Sequence, residues 1–112
     1  MTKIGKGDQP PHEPTIATYR QDLEKNASKF LNALDHYQVT KRDQERIHHK
    51  GVMDESLALM RASAEEINVD GIRKQELRLE NTYKAYIDHE TLDNLSALRE
   101  DLSELRDNNR LP

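Results

Sequence analysis

Histidines are the side chains of this chain with the widest chemical range, because imidazole binds transition metals and transfers protons near neutral pH. There are five of them, and Glu45 and His48 form a Glu-x-x-His pair. On a helix this spacing places a carboxylate and an imidazole on one face, as dinuclear metal sites in helical bundles require. Such a site needs two of these motifs and two further carboxylates, and the sequence has one motif. We therefore expect no metal site, and metal binding is the least favoured functional hypothesis.

Cations are most concentrated in the segment 41–50, where they could contact DNA or another polyanion. The residues proposed for that contact are Lys41, Arg42, Arg46 and Lys50. Asp43 and Glu45 reduce the local positive charge, and the segment offers no aromatic side chain for base stacking. A regulatory protein that binds a polyanion through this segment is the alternative hypothesis.

Motifs of known catalytic sites do not occur in the sequence. There is no glycine-rich phosphate loop, no Gly-x-Ser-x-Gly turn and no cysteine nucleophile. Carboxylates are abundant, but on amphipathic helices they normally form the solvated face. We expect no enzymatic activity and no cofactor.

Composition favours a small all-α protein. Charged residues make up 34% of the chain, glycine and proline are few, and the net charge is −4, divided as +1 over residues 1–64 and −5 over residues 65–112. The acidic second half argues against extensive nucleic-acid binding. The absence of cysteine fits a reducing compartment, and no apolar run is long enough for a signal peptide or a membrane span. We expect a cytoplasmic protein that does not enter a membrane.

The first helix is predicted at 15–37, with Thr15 as its N-cap. Apolar residues recur there three or four positions apart, which is the spacing of one buried helix face. They are Ile16, Tyr19, Leu23, Ala27, Phe30, Leu34 and Tyr37. The preceding residues, 1–14, contain three prolines and two glycines and are predicted to form a disordered arm.

The second helix is predicted at 41–68. Thr40 and Asp43 resemble a capping box at its start, and Gly51 weakens its interior. Its regular stripe comes later in the helix and comprises Met53, Leu57, Met60, Ala64 and Ile67.

The third helix is predicted at 71–108, with Asp70 as N-cap. Its stripe has a first part at Ile72, Leu79, Tyr83, Tyr86 and Ile87, and a second part at Leu95, Leu98, Leu102 and Leu105. At about 100° per residue the two parts differ in direction by roughly 100°. This shift predicts a kink, a stutter or a break near 88–91.

These segments predict an open three-helix antiparallel bundle, or a helical hairpin with coiled-coil character, in a single domain at 15–112. The apolar stripes are long relative to the thin core that so small a chain can build. We therefore expect dimerisation to complete the core.

The leading hypothesis is a small non-catalytic interaction or assembly protein that binds partner helices. In size, acidity and lack of cysteine the chain resembles the small helical chaperones and assembly factors of bacterial secretion systems and phages. The partner would be a protein, with a second copy of the chain as a further binding partner. The expected contact residues are Tyr83, Tyr86, Leu95, Leu98, Leu102 and Leu105.

Overall fold

The computed structural model describes residues 15–111, and four α-helices joined by short turns occupy this part of the chain. The helices are α1 (Ile16–Val39), α2 (Asp43–Ile67), α3 (Asp70–Asp88) and α4 (Leu92–Arg110). Each helix packs on its neighbours in sequence, and α4 packs back on α1, which is the arrangement of an up-and-down bundle. The all-α prediction is confirmed. The prediction of three helices is wrong, because the third predicted helix is two helices.

The break in the segment 71–108 falls where its apolar stripe changes direction. α3 ends at Asp88 and α4 begins at Leu92, within the region 88–91 where a kink, a stutter or a break was expected. A continuous helix would point the second part of the stripe away from the first. The break lets α4 fold back antiparallel to α3, so that both parts face one core.

Hydrogen bonds of two side chains stabilise this break. The hydroxyl oxygen of Thr91, the N-cap of α4, accepts a hydrogen bond from the Asn94 N–H at 3.1 Å. The side-chain amide of Asn94 donates to the carbonyls of Ala85 and His89 at 3.3 and 2.9 Å. These bonds satisfy backbone groups that helix ends leave unpaired.

At the other helix starts, one predicted N-cap is confirmed and two, Thr40 and Asp70, are wrong. Thr15 caps α1 as expected and accepts from the Thr18 N–H at 3.2 Å. Thr40 does not cap α2, because α1 runs to Val39 and the Thr40 N–H still donates to a carbonyl of α1. The N-cap of α2 is Arg42, whose side chain makes no capping bond.

The turn between α2 and α3 consists of two residues. Asn68 adopts the left-handed conformation with φ 57°, which asparagine tolerates better than most residues do. Val69 is the N-cap of α3, one position before the predicted Asp70. The tight turn places α2 and α3 side by side and antiparallel.

The hydrophobic core lies along the axis of the bundle and takes residues from all four helices. Phe30 and Tyr83 meet edge to face with ring centres 5.4 Å apart, and Tyr37 and Tyr86 do so at 6.3 Å. The four apolar stripes therefore face one another within a single chain, and no second subunit is needed to cover them.

Polar contacts join α1 to α4 along the outside of this core, and we call this contact the α1/α4 seam. Arg20 donates to the Asn109 carbonyl at 2.9 Å, and the Asn109 amide donates back to the Arg20 carbonyl at 2.8 Å. Glu24 Oε1 accepts from Arg106 at 2.6 Å and from Arg110 at 2.8 Å. The seam therefore depends on charged and amide groups as well as on apolar packing.

The predicted disordered arm at 1–14 lies outside the described residues. Among the four helices of residues 15–111, none combines the length and the hydrophobicity that a membrane span requires.

Candidate functional site

A groove runs along the outside of the bundle between α2 and α3, which contact each other less extensively than α1 and α2 do. It has a volume of about 540 Å³. Its lining contains the Tyr83 side chain and three further kinds of residue. The apolar ones are Leu57, Ala58 and Ile87, the cations are Lys50, Arg61 and Lys84, and the carboxylates are Asp54, Glu80 and Asp88. We call this feature the α2/α3 groove.

Tyr83 links the two walls of the α2/α3 groove. Its side chain is buried, and its hydroxyl donates to Asp54 Oδ1 on α2 at 2.5 Å. Lys50 Nζ donates to the other oxygen of the same carboxylate at 3.0 Å. Burial and the hydrogen bond to charged Asp54 raise the pKa of the Tyr83 hydroxyl above its usual range. This hydroxyl therefore acts as a hydrogen-bond donor and is a poor candidate for a catalytic base.

A second cavity of about 230 Å³ lies farther along the same two helices and contains a buried carboxyl group. Glu76 lines this cavity and is only 1% exposed. Burial, a hydrogen bond with Glu80 and the charge of Glu80 raise the pKa of Glu76 to about 9. Arg61 opposes these effects and Glu65 adds to them, and this value includes both contributions. Glu76 is therefore protonated at neutral pH.

Glu76 and Glu80 lie one turn apart on α3 and share one proton. Apart from the hydrogen bond between the two carboxyls, neither Glu76 Oε2 nor Glu80 Oε2 has a hydrogen-bond partner among the groups of residues 15–111. The proton on Glu76 lets this carboxyl donate a hydrogen bond to Glu80. Arg61 Nη1 lies 3.7 Å from Glu80 Oε1, so one positive charge on α2 balances one negative charge on α3.

Arg46 connects the two turns at the opposite end of the bundle. Its guanidinium donates to the carbonyls of Tyr37 and Thr40, at 3.0 and 3.3 Å, and to Glu90 Oε1 at 2.6 Å. It also lies 4.0 Å from the centre of the Tyr37 ring. The Tyr37 hydroxyl donates to the second oxygen of Glu90 at 2.9 Å. Arg46 thus fixes the end of α1 to the turn between α3 and α4.

The cations proposed for polyanion binding do not form a continuous basic surface. The four residues are Lys41, Arg42, Arg46 and Lys50. Arg46 and Lys50 pair with Glu90 and Asp54 of the same chain. The other two are exposed in the turn before α2. The structure therefore gives the polyanion hypothesis no added support.

Three histidines meet where α1 ends and α2 begins. The rings of His36 and His49 stack with centres 5.2 Å apart, and His48 contacts His49 edge to face at 5.3 Å. Glu45 and His48, the Glu-x-x-His pair, are exposed. Within residues 15–111, no three His, Cys, Asp or Glu side chains are placed so that they could hold a metal ion. The three imidazole rings therefore contact one another by aromatic packing.

The residues expected to contact a partner lie mainly inside the bundle. They are Tyr83, Tyr86, Leu95, Leu98, Leu102 and Leu105. Five of them are at most 5% exposed, and Leu95 is partly buried against the core. Tyr83 lines the α2/α3 groove, whereas a partner could contact Tyr86, Leu98 and Leu105 only if the bundle opened. The surface that the folded chain offers is therefore different from the one expected from the sequence.

Comparison with known proteins adds no relative from which a function could be transferred. No protein-family model matches this chain, and no curated protein or solved structure matches it significantly. The function must therefore be argued from the residues of the chain.

Sequence reasoning missed the carboxyl pair, although a signal was present. Glu76 lies in the apolar stripe of α3, four residues after Ile72 and three before Leu79. A carboxyl group at a core position is rare unless it is paired or functional. The contributions from α2 could not be found, because Arg61, which lowers the pKa of Glu76, and Glu65, which raises it, come from another helix.

Proposed function

We propose that this chain is a small non-catalytic interaction protein of the cytoplasm that binds an amphipathic helix of a partner protein, as adaptors and assembly chaperones do. The observation that carries the proposal is the α2/α3 groove. The core of the bundle is closed within the chain, whereas this groove leaves Ala58 of α2 exposed and Ile87 of α3 only partly buried. A chain without cysteine is compatible with the reducing cytoplasm.

The length of the groove favours a helix as its occupant. The lining residues of α2 run from Lys50 to Arg61, which corresponds to about 16 Å along a helix axis. That distance matches about three turns of a partner helix with apolar residues at i, i+3 or i+4, and i+7. Ala58 is small and exposed, so the partner can approach the α2 backbone closely at this point.

Charges around the groove favour a partner helix with both signs of charge. Three cations and three carboxylates border the apolar strip. Lys84 and Asp88 make no ion pair within residues 15–111. Groups of opposite charge on a partner can therefore pair with them and set its direction and register.

Blocking the groove tests the proposal. The probe is a synthetic amphipathic helix with leucines at i, i+3, i+4 and i+7 and one arginine beside them. We expect it to shift the backbone amide signals of α2 and α3 in an NMR titration. Ala58→Arg places a long charged side chain in the groove and should weaken binding at least about tenfold.

Ala62→Arg is the matched control, because Ala62 is an exposed alanine of the same helix that lines a different groove, between α1 and α2. We expect this variant to bind the peptide like the natural chain. Equal binding by both variants, or signal changes confined to other helices, would contradict the proposal.

Dimerisation, expected from the sequence, is a separate proposal. Because each chain already covers its own stripes, a second copy would have to bind through an outer surface, and the α2/α3 groove is the surface we propose for it. Light scattering over a wide concentration range measures the association. A dimer that Ala58→Arg dissociates would support this proposal, and a monomer at all concentrations would exclude it.

A further inference from the structure

The buried carboxyl pair has oxygen atoms for which the chain supplies no donor other than the proton that the two carboxyls share. Glu76 is 1% exposed and lines the 230 Å³ cavity between α2 and α3. Its Oε2 atom and that of Glu80 have no donor within residues 15–111 besides the shared proton. A buried acceptor without a donor is costly, so the position is expected to hold either a proton or a bound cation.

The charged groups that face Glu76 come from two helices. Arg61 and Glu65 approach it from α2, and Glu80 and Arg73 lie near it on α3. The two nearby cations, Arg61 and Arg73, do not fully compensate the carboxyl pair. Arg61 is 3.7 Å from Glu80 and its side chain is 54% exposed, so its position is weakly constrained.

Arg73 is engaged elsewhere and does not compensate the carboxyl pair. Its guanidinium donates to Asn68 Oδ1 at 2.8 Å and to Asp70 Oδ1 at 3.2 Å, in the turn between α2 and α3. The buried carboxyl therefore keeps its own proton, and burial raises its pKa accordingly.

The small cavity adjoins the α2/α3 groove. Arg61 lines both of them, and its side chain is 54% exposed. A ligand in the groove could displace this side chain without disturbing the core. The cavity volume is sufficient for a guanidinium group and part of its aliphatic chain.

We propose that the small cavity binds the guanidinium group of an arginine on the partner helix, and that this cation enters in exchange for the proton of Glu76. The inference rests on the proposed function. The proton leaves to the solvent and Glu76 becomes a carboxylate, so the charge of the cavity is unchanged by the exchange. Guanidinium suits the site because its planar fork can donate to two carboxylates at once and is weakly hydrated.

Proton release is the distinguishing measurement. The probe is n-butylguanidinium, titrated calorimetrically into the natural chain near neutral pH in two buffers that differ in ionisation enthalpy. We expect about one proton released per probe bound and an affinity that rises about tenfold per pH unit between about pH 6 and 8. Binding without proton release, or no binding of the probe, would overturn the inference.

Two variants locate the exchange. Glu76→Gln keeps the shape and a donor to Glu80 but has no exchangeable proton, so it should weaken binding of the probe at least about tenfold and abolish proton release. Arg61→Met removes the competing cation at an exposed position and should strengthen binding. This second variant keeps the test decisive if Glu76→Gln folds poorly. Glu66→Gln is the control. Glu66 is an exposed residue of α2 that directly follows Glu65, and this variant should behave like the natural chain.

The inference and the proposed function fail in different ways. If the leucine-rich helix binds in a manner that depends on Ala58 but releases no proton, the groove function stands and the arginine site is wrong. If n-butylguanidinium exchanges for a proton while the helix does not bind, the cation site stands and the partner-helix function is wrong.

Discussion

Tyr83 and Tyr86 are neighbouring buried tyrosines on α3, and they separate the effect of a hydrogen bond from that of ring burial. Tyr83 donates to Asp54, whereas the Tyr86 hydroxyl makes no hydrogen bond within residues 15–111. We predict that Tyr83→Phe lowers the free energy of unfolding by about 1 kcal/mol, the usual contribution of one hydrogen bond. Tyr86→Phe should lower it by less than half as much. Urea unfolding followed by circular dichroism measures both, and equal losses would contradict the assignment.

At the candidate site, the sequence predicts the positions of some residues and not of others. The presence of Glu76 in an apolar stripe can be read directly from the sequence, and it marks a position that needs an explanation. Its partner Glu80 follows from helical spacing, because residues four apart share a face. The approach of Arg61 depends on how α2 and α3 pack, and no local pattern encodes that. The carboxyl pair was therefore predictable in part, and the cavity around it was not.

At the scale of the helix, Gly51 offers a direct gain in stability. It lies in the interior of α2, is exposed, and a Cβ atom added there would meet nothing within 4 Å. We predict that Gly51→Ala raises the free energy of unfolding by about 1 kcal/mol, because glycine is a poor helix former. The reverse change at an exposed site of the same helix, Ala62→Gly, should lower it by a similar amount. Urea midpoints that do not move in opposite directions would contradict the prediction.

Helix caps distinguish the four-helix structure from the expected three helices. Thr91 caps α4 through its hydroxyl, so Thr91→Ala should lower the free energy of unfolding by about 1 kcal/mol. The Thr40 hydroxyl caps no helix, and Thr40→Ala should cost less than about half of that. Under the three-helix prediction the larger loss belongs to Thr40. Thermal and urea unfolding of the two variants decide between the two assignments.

The helices themselves were largely predictable, and most of their ends were not. The stripes of α1 and α2 place most of their apolar residues in the core, since periodicity of three and four residues reports burial directly. Ile16 is an exception and stays exposed. The break after Asp88 was anticipated as one of three outcomes. It could not be chosen over a kink, because its stabilising contacts include Glu90 with Tyr37 and Arg46, which are distant in sequence.

At the scale of the whole molecule, the pair of helices α1 and α2 meets the pair α3 and α4 along two seams, the α1/α4 seam and the contact between α2 and α3. Each seam contains a carboxyl group, and the pKa values of these two groups are shifted in opposite directions. In the α1/α4 seam, burial alone would raise the pKa of Glu24. The hydrogen bonds and charges of Arg106 and Arg110 outweigh burial and lower the pKa below the usual 4.5. Between α2 and α3, burial and Glu80 raise the pKa of Glu76 to about 9. The two seams must therefore respond to pH with opposite signs.

We predict that the isosteric substitutions Glu76→Gln and Glu24→Gln change the pH dependence of the free energy of unfolding in opposite directions. Between about pH 5 and 8 the unfolded chain has lost the Glu76 proton and the native chain retains it, so rising pH favours unfolding by up to about 1.4 kcal/mol per pH unit. Glu76→Gln should remove that loss, and its advantage over the natural chain should grow with pH. Glu24 is ionised in the native state below pH 4.5, where the unfolded chain takes up a proton, so its stabilisation is lost as the pH falls.

Urea unfolding of the natural chain, Glu76→Gln and Glu24→Gln across an acid-to-alkaline series measures this difference. Glu24→Gln should be less stable than the natural chain above about pH 5 and should approach it in acid, because protonation of Glu24 removes the same interaction there. The stability maximum of Glu76→Gln should lie at higher pH than that of the natural chain. A Glu76→Gln advantage that is constant with pH would show that the buried carboxyl does not hold its proton in the folded state. It would also remove the proton that the proposed arginine exchange requires.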